Sequence, residues 1–306
     1  MSLEVSSPVE VVIDRVRKVY ASWTRDTSVE QMRRDWDEMF WSDAFAATSQ
    51  QVSADGVDAC WIDAPDVDRQ KVLLYFHGGG FRVGSVRSHR DLIARISAAA
   101  GCRALGVDFR LAPEHHFPAP IEDAVTAYRW LLAQGFKPKN IALVGDSAGG
   151  NLVLTSMLSL RAQGLPLPAA AAVMSAWTDL TASGESYETR TNADPIHQRK
   201  MILGVAKGYL GDASDPNADP KNPLASPLYA ELQGLPPLLL QVGDRETVLD
   251  DSKNFAAKAR AAGVDVELEV WDNMIHVFQQ FTSELPEALS AIESIGRFLR
   301  KHWPAA

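Results

Sequence analysis

Ile141-Ala-Leu-Val-Gly-Asp-Ser-Ala-Gly-Gly-Asn151 holds the exit of one element and the start of another within eleven residues. Four apolar residues, Ile141 to Val144, read as a buried strand, and the apolar stretch from Ala148 to Gln163 reads as a helix. Between them stands Gly-x-Ser-x-Gly, the pattern of a strand-to-helix elbow that exposes a nucleophilic serine. Gly145 and Gly149 remove the side chains that would crowd Ser147 in so sharp a turn. The helix beginning at Ala148 aims its first N–H groups and the positive end of its dipole at charge developing on that side.

Outward from the elbow, short β-like runs alternate with helices of ten or more residues, the signature of a mainly parallel sheet covered on both faces. The runs are Gln51 to Ala64, read as a hairpin, Val72 to Phe76, Ala104 to Phe109, Ile141 to Val144, Ala170 to Met174, Pro237 to Val242 and Val264 to Val270. Helices fit at Arg90 to Ala100, Pro120 to Gln134, Ala148 to Gln163, Val248 to Ala262 and Glu284 to Lys301. The fold class is therefore α/β. The rhythm breaks between Trp177 and Gly234, where Pro195, Pro216, Pro220, Pro223 and Pro227 mark an insertion with one helix from Ile196 to Leu210. Two amphipathic helices precede the sheet. One carries Val9, Val12, Ile13, Val16, Val19, Tyr20 and Trp23 on a single face; the other starts at a Ser28/Gln31 capping box and carries Val29, Met32, Trp36, Met39 and Phe40.

The chain has 306 residues and a net charge of −9, from 30 Lys and Arg against 39 Asp and Glu. With no basic run, nucleic acid and anionic membrane surfaces are poor partners. Apolar runs such as Asn151 to Leu160 are interrupted well before the roughly 18 residues that span a bilayer. Glu4, Glu10 and Asp14 interrupt the stretch an export signal would need, so a cytoplasmic location is expected. Cys60 and Cys102 form neither a CxxC pair nor a Cys/His cluster with zinc spacing.

A serine nucleophile needs a base, and the base a carboxylate to orient it. In this type of site the chain order is Ser, acid, His. Of the seven histidines, only His197, His276 and His302 follow the acid's expected place or the serine. His276 lies in a loop just after a late strand and is the expected base, whereas His302 in the last helix and His197 in the insertion read as solvated side chains. The turn after Pro237 to Val242 offers Asp244 and Glu246, either of which can orient an imidazole, while Asp250 and Asp251 suit the first turn of the next helix. Phe76-His-Gly-Gly-Gly-Phe81 follows a strand, and its glycines let backbone N–H groups approach an oxyanion. A phosphate cradle is the other use of such a loop, but no GxxxxGK[ST] or GxGxxG accompanies it.

His77-Gly-Gly-Gly-Phe81, Gly145-Asp-Ser-Ala-Gly-Gly150 and Asp108-Phe-Arg-Leu-Ala-Pro-Glu-His-His-Phe-Pro-Ala119 together resemble the hormone-sensitive-lipase-like branch of the α/β-hydrolases, the bacterial family IV carboxylesterases. The third segment resembles the family's DYRLAPEHxFPA, with Phe109 in place of Tyr, and gives Glu114, His115 and His116 a structural reading instead of a metal-binding one. Glu246-Thr-Val-Leu-Asp250 is the counterpart of the family's DPLRD, which places Glu246 in the acid position.

The resemblance implies a single α/β-hydrolase core, residues 51–306, with a helical cap from residues 1–50 and part of 178–234. The cap aromatics Trp23, Trp36, Phe40 and Trp41 either pack the cap against the core or touch substrate. It also implies Ser147, Glu246 and His276 as the catalytic set, with Gly79, Gly80 and Ala148 as oxyanion donors. The expected activity is hydrolysis of short- to medium-chain acyl esters, with a small-molecule ester as partner and no metal or organic cofactor. Amide or lactone hydrolysis uses the same groups, and pocket shape separates them. A ligand-binding receptor on the same scaffold is the rival from another class; relatives of that kind have lost the histidine that His276 represents. Val264 to Val270 reads as an edge strand through which a homodimer can form.

Overall fold

The apolar runs assemble into one eight-stranded sheet in the computed structural model, which describes residues 7–216 and 218–304. Glu4, used above in the export-signal reading, lies outside the described residues. The strands are β1 (Thr48–Ala54), β2 (Val57–Asp63), β3 (Asp68–Phe76), β4 (Cys102–Val107), β5 (Ile141–Asp146), β6 (Ala170–Met174), β7 (Leu238–Gly243) and β8 (Val266–Trp271), in the spatial order β1-β2-β4-β3-β5-β6-β7-β8. Only β1 with β2 and β2 with β4 pair antiparallel. Asp55 and Gly56, both at positive φ, close the first hairpin in the backbone conformation that suits strand twist.

The helices are α1 (Pro8–Ser22), α2 (Val29–Phe40), α3 (Val86–Ala100), α4 (Ala119–Ala133), α5 (Ala148–Ala162), α6 (Ser186–Thr189), α7 (Arg199–Leu210), α8 (Leu249–Ala261) and α9 (Pro286–His302). Successive strand residues face opposite layers. Leu73 and Tyr75 pack with α3 and α9, and Leu74 and Phe76 with α4, α5 and α8. Both faces of β3 and β5 are covered, which is why these strands read as continuous apolar runs. Helix α9 lies close on α3 because Gly296 faces the backbone of Ala99, where a Cβ would fall 2.4 Å from the carbonyl. None of the helices among the described residues is long and apolar enough to cross a membrane.

Several boundaries differ from the sequence expectation. β1 begins at Thr48, so the first 50 residues are not helical to their end. Helix α3 starts at Val86, four residues before Arg90, because Ser85 and Ser88 form a reciprocal capping box. β4 stops at Val107, where the Asp108 carboxylate turns aside to accept from the Val86 N–H at 2.7 Å. Helix α7 begins at Arg199 instead of Ile196, since the N–H groups of Ile196 and His197 donate to the Asp194 carboxylate. At α2 the Ser28 hydroxyl accepts from the Gln31 N–H, but the Gln31 amide turns to Asp35 at 2.6 Å, leaving the box half formed.

The chain moves outward from β3 to β4 and then returns to place β5 on the other side of β3. Ligand crevices of open α/β sheets form at such a reversal, beyond the carboxyl ends of the strands. Phe76 pairs with Gly145 and Gly145 with Val173, so the loops after β3, β5 and β6 leave the sheet at one level.

Candidate active site

Ser147 sits at the tip between β5 and α5 with φ 52° and ψ −117°, a conformation non-glycine residues rarely adopt. The Ser147 N–H donates to the Met174 carbonyl at 2.8 Å, which anchors the turn to β6. Two glycines make the geometry possible. A Cβ on Gly149 would lie 2.0 Å from the Phe76 carbonyl oxygen, and one on Gly145 2.5 Å from that of Gly149.

The three residues singled out from the sequence meet at this tip. His276, in the loop after β8, has Nε2 2.8 Å from Ser147 Oγ and Nδ1 2.8 Å from Glu246 Oε2. Glu246 is fully buried in the turn after β7, and its Oε1 accepts from the Gly243 N–H and the Ser175 hydroxyl. Burial raises the Glu246 pKa against the opposing pull of His276 and those donors. At His276 burial works against the imidazolium, but Glu246, followed by Asp194 and Asp146, outweighs it and raises the pKa above the ordinary value. Asp244, the other carboxylate of the turn, is half-buried; its N–H donates to the Trp271 carbonyl, and its Oδ1 has no hydrogen-bond partner among the described residues.

Gly79 and Gly80 follow β3 at φ 113° and 63°. Their N–H groups and that of Ala148, the first residue of α5, donate to no protein acceptor among the described residues. Such free donors beside a serine hydroxyl suit an oxyanion. The loop is held from below by Asp146, whose Oδ1 accepts from the Gly78 N–H at 3.0 Å and the Tyr75 hydroxyl at 2.7 Å, while Oδ2 meets His89 Nε2 at 3.3 Å. Burial acts to raise this carboxyl, yet His89 and Tyr75 hold it below the usual range.

A cavity of about 300 Å³ opens over Ser147. Tyr20 and Trp23 line it from α1 and just beyond, Met32, Trp36 and Phe40 from α2, and Met201, Ile202 and Val205 from α7. Trp41 is absent from this lining; it is exposed, with the Arg87 guanidinium 5.6 Å from its ring. The Asp108–Ala119 segment fastens these helices to the core. Glu114 takes both ends of the Arg33 guanidinium of α2, and His116 Nδ1 meets the Gly208 carbonyl of α7 at 2.9 Å. Phe109 stacks on His77 with ring centroids 4.4 Å apart.

Two readings from the sequence change, those of His197 and His302. His197 is not a solvated side chain: its ring stands edge-on to His276 with centroids 4.3 Å apart, and burial first, then His276, push its pKa down to about 3 against Asp194. His302 is half-buried against Phe298. Asp250 and Asp251 do stand in the first turn of α8, but their carboxylates reach across to the insertion, accepting from the N–H groups of Ser186 and of Thr178 and Asp179. Asp194 and Ser175 escaped the sequence reading altogether, and His197 entered it only to be set aside as solvated. They carry no local pattern and come to the site only through the packing of the insertion and the end of β6.

An elbow serine on a sheet of this order defines an α/β-hydrolase. The family model described as "alpha/beta hydrolase fold" matches residues 73–280. An acetyl-hydrolase of Streptomyces hygroscopicus is 44% identical over 230 residues, 75% of each chain. An esterase of Acinetobacter venetianus is 38% identical over 228 residues, 74% of each. The crystal structure of an esterase from the bacterial hormone-sensitive lipase family matches with a TM-score of 0.92 at 47% identity, covering 99% of this chain and all of that one. The chain belongs to the hormone-sensitive-lipase-like branch of the α/β-hydrolases, the bacterial family IV carboxylesterases.

Proposed function

We propose that this carboxylic ester hydrolase cleaves short- to medium-chain acyl esters through Ser147, His276 and Glu246. The observation that carries the proposal is the pair of 2.8 Å contacts from His276, one to Ser147 Oγ and one to Glu246 Oε2. His276 Nε2 takes the Ser147 proton as Oγ attacks the ester carbonyl, and Glu246 keeps Nδ1 protonated and stabilises the imidazolium. The N–H groups of Gly79, Gly80 and Ala148 receive the oxyanion. As the tetrahedral intermediate collapses, the alcohol leaves with the proton from Nε2. Water then attacks the acyl-enzyme with His276 again as base, freeing the acid and restoring Ser147.

Helices α1, α2 and α7 act as a cap in this reading, since they supply the apolar wall of the cavity. A volume of about 300 Å³ walled by Trp23, Trp36 and Phe40 favours compact apolar acyl groups over long chains. The acetyl-hydrolase named among the relatives points the same way. Ser147→Ala is expected to abolish hydrolysis of p-nitrophenyl acetate and butyrate, and an organophosphate should label Ser147 in the wild-type chain, read by mass spectrometry. Wild-type turnover in Ser147→Ala refutes the mechanism; an unlabelled Ser147 favours a ligand-binding receptor instead.

A further inference from the structure

We infer that Ser175 is a positioning residue for the reaction, its hydroxyl fixing both the acid and the loop that carries the base; the inference rests on the Ser147–His276–Glu246 reading above. Ser175 follows β6 and is fully buried. Its Oγ lies 2.8 Å from Glu246 Oε1 and 3.0 Å from the backbone nitrogen of Val277, the residue after His276.

The direction of each bond is fixed by chemistry. A backbone N–H can only donate and an ionised carboxylate can only accept, so the Ser175 hydrogen points at Glu246 and a lone pair receives Val277. Oε1 of Glu246 is then occupied by two donors, the Ser175 hydroxyl and the Gly243 N–H, and Oε2 alone is left to face His276 Nδ1. The carboxylate is thereby held against rotation.

The second bond acts on the base. Val277 stands at φ 48°, a left-handed conformation that is an outlier for a β-branched side chain. Its buried N–H would lack an acceptor without Ser175, and orphaned buried donors are rare. Ser175 itself stands at φ 50° with its N–H on the Gln241 carbonyl at 2.7 Å. The residue before it, Met174, accepts from the Ser147 N–H. One corner after β6 therefore braces the nucleophile's turn through Met174, and the acid and the base loop through Ser175. Two strained residues meeting at a single hydroxyl fit a site where surrounding structure imposes the geometry.

Ser175→Ala and Ser175→Gly test this against wild type and Ser147→Ala, with a p-nitrophenyl ester across pH and a thermal melt of each variant. Glycine tolerates φ 50°, so it removes the hydroxyl without keeping the strain and carries the test if the alanine chain fails to fold. Both variants are expected to lose about 10- to 100-fold in kcat with KM within about twofold, because without the Val277 anchor the Glu246–His276 pair, still in contact, shifts against Ser147 Oγ while binding is untouched. The acid limb of kcat/KM should move to higher pH. Without the Ser175 donor the charge on Glu246 is less dispersed and holds the imidazolium more strongly, while Asp194, Asp146 and His197, the other groups facing His276, are unaltered. Wild-type kcat in Ser175→Gly, or a lower kcat with the acid limb unmoved, overturns the inference. Activity retained in Ser147→Ala would instead bring down the triad reading on which it rests.

Discussion

Replacing Glu246 with Gln tests the assignment of the acid at a single atom pair. The buried carboxylate uses Oε1 for the Gly243 N–H and the Ser175 hydroxyl, and Oε2 for His276 Nδ1. A glutamine has one acceptor oxygen and an amide that only donates. Two donors on the Oε1 side hold the oxygen there, so the NH₂ turns toward His276. The imidazole then carries its proton on Nε2, facing Ser147 Oγ, and has no lone pair for the serine proton. A wrong tautomer of this kind lowers kcat by about 10⁴ in a comparable triad, a barrier increase of about 5.5 kcal/mol. Folding should survive, because burial disfavours the charge on Glu246 and the amide removes that charge. Asp244→Asn is the internal control. Among the described residues its carboxylate oxygen Oδ1 has no hydrogen-bond partner and the carboxylate on His276 Nδ1 is that of Glu246, so turnover should stay within about threefold, as for a change outside the reacting groups. The assay is initial-rate hydrolysis of p-nitrophenyl butyrate at saturation, with a thermal melt for each variant. More than a tenth of wild-type kcat in Glu246→Gln, or the severe loss appearing in Asp244→Asn, refutes the reasoning.

Because the His276 pKa is raised and the base must be neutral, kcat/KM should be present above that pKa and fall as pH drops through it, with the midpoint above the ordinary value of about 6.5; a midpoint below 6 in a pH–rate profile would contradict the electrostatic account. The same raised pKa contributes stability below the unfolded value and loses it as pH rises through the folded one. Gly79→Ala places a Cβ 2.1 Å from the Val83 carbonyl oxygen at a φ of 113°, so the loop must shift. A loss of about 10²–10³ in kcat is expected, as for removal of an oxyanion donor, and near-normal turnover would take Gly79 out of the oxyanion site. β8 is one of the two edge strands of the sheet, the other being β1, and we propose that two copies pair along β8. Light scattering should then report twice 33.4 kDa, and a monomer at micromolar concentration dismisses the pairing.

What was legible in the residues was local. Apolar runs of a few residues between helical stretches marked β5, β6 and β7 to within two residues, because those strands are buried on both faces and admit few polar residues, whereas β3 starts four residues before its apolar run, at the polar stretch Asp68 to Lys71. The elbow was legible because its glycines are forced by contacts of 2.0 to 2.5 Å with backbone. Ends were less legible. The start of α3 rests on a serine pair and the start of α7 on the carboxylate of Asp194, and such caps compete with several equally polar neighbours.

Between Asp244 and Glu246, elementary chemistry on the sequence was silent, since two carboxylates two residues apart serve an imidazole equally well on paper. The backbone path after β7 separates them: Asp244 spends its N–H on Trp271, while Glu246 turns inward beneath His276. His197 is the sharper case. A histidine in a proline-rich insertion has every mark of a surface residue, and only the docking of that insertion, with Asp194 accepting from Thr247 beside Glu246, brings its ring against the base.

Sequence alone determined the alternation of elements and the serine with its glycines, because each follows from sterics or chemistry within a dozen residues, and chain order singled out His276 as the expected base. Tertiary structure decided which carboxylate faces His276, what lines the cavity, and that the Ser175 hydroxyl joins Glu246 to the His276 loop, because those depend on where strands distant in the chain end side by side.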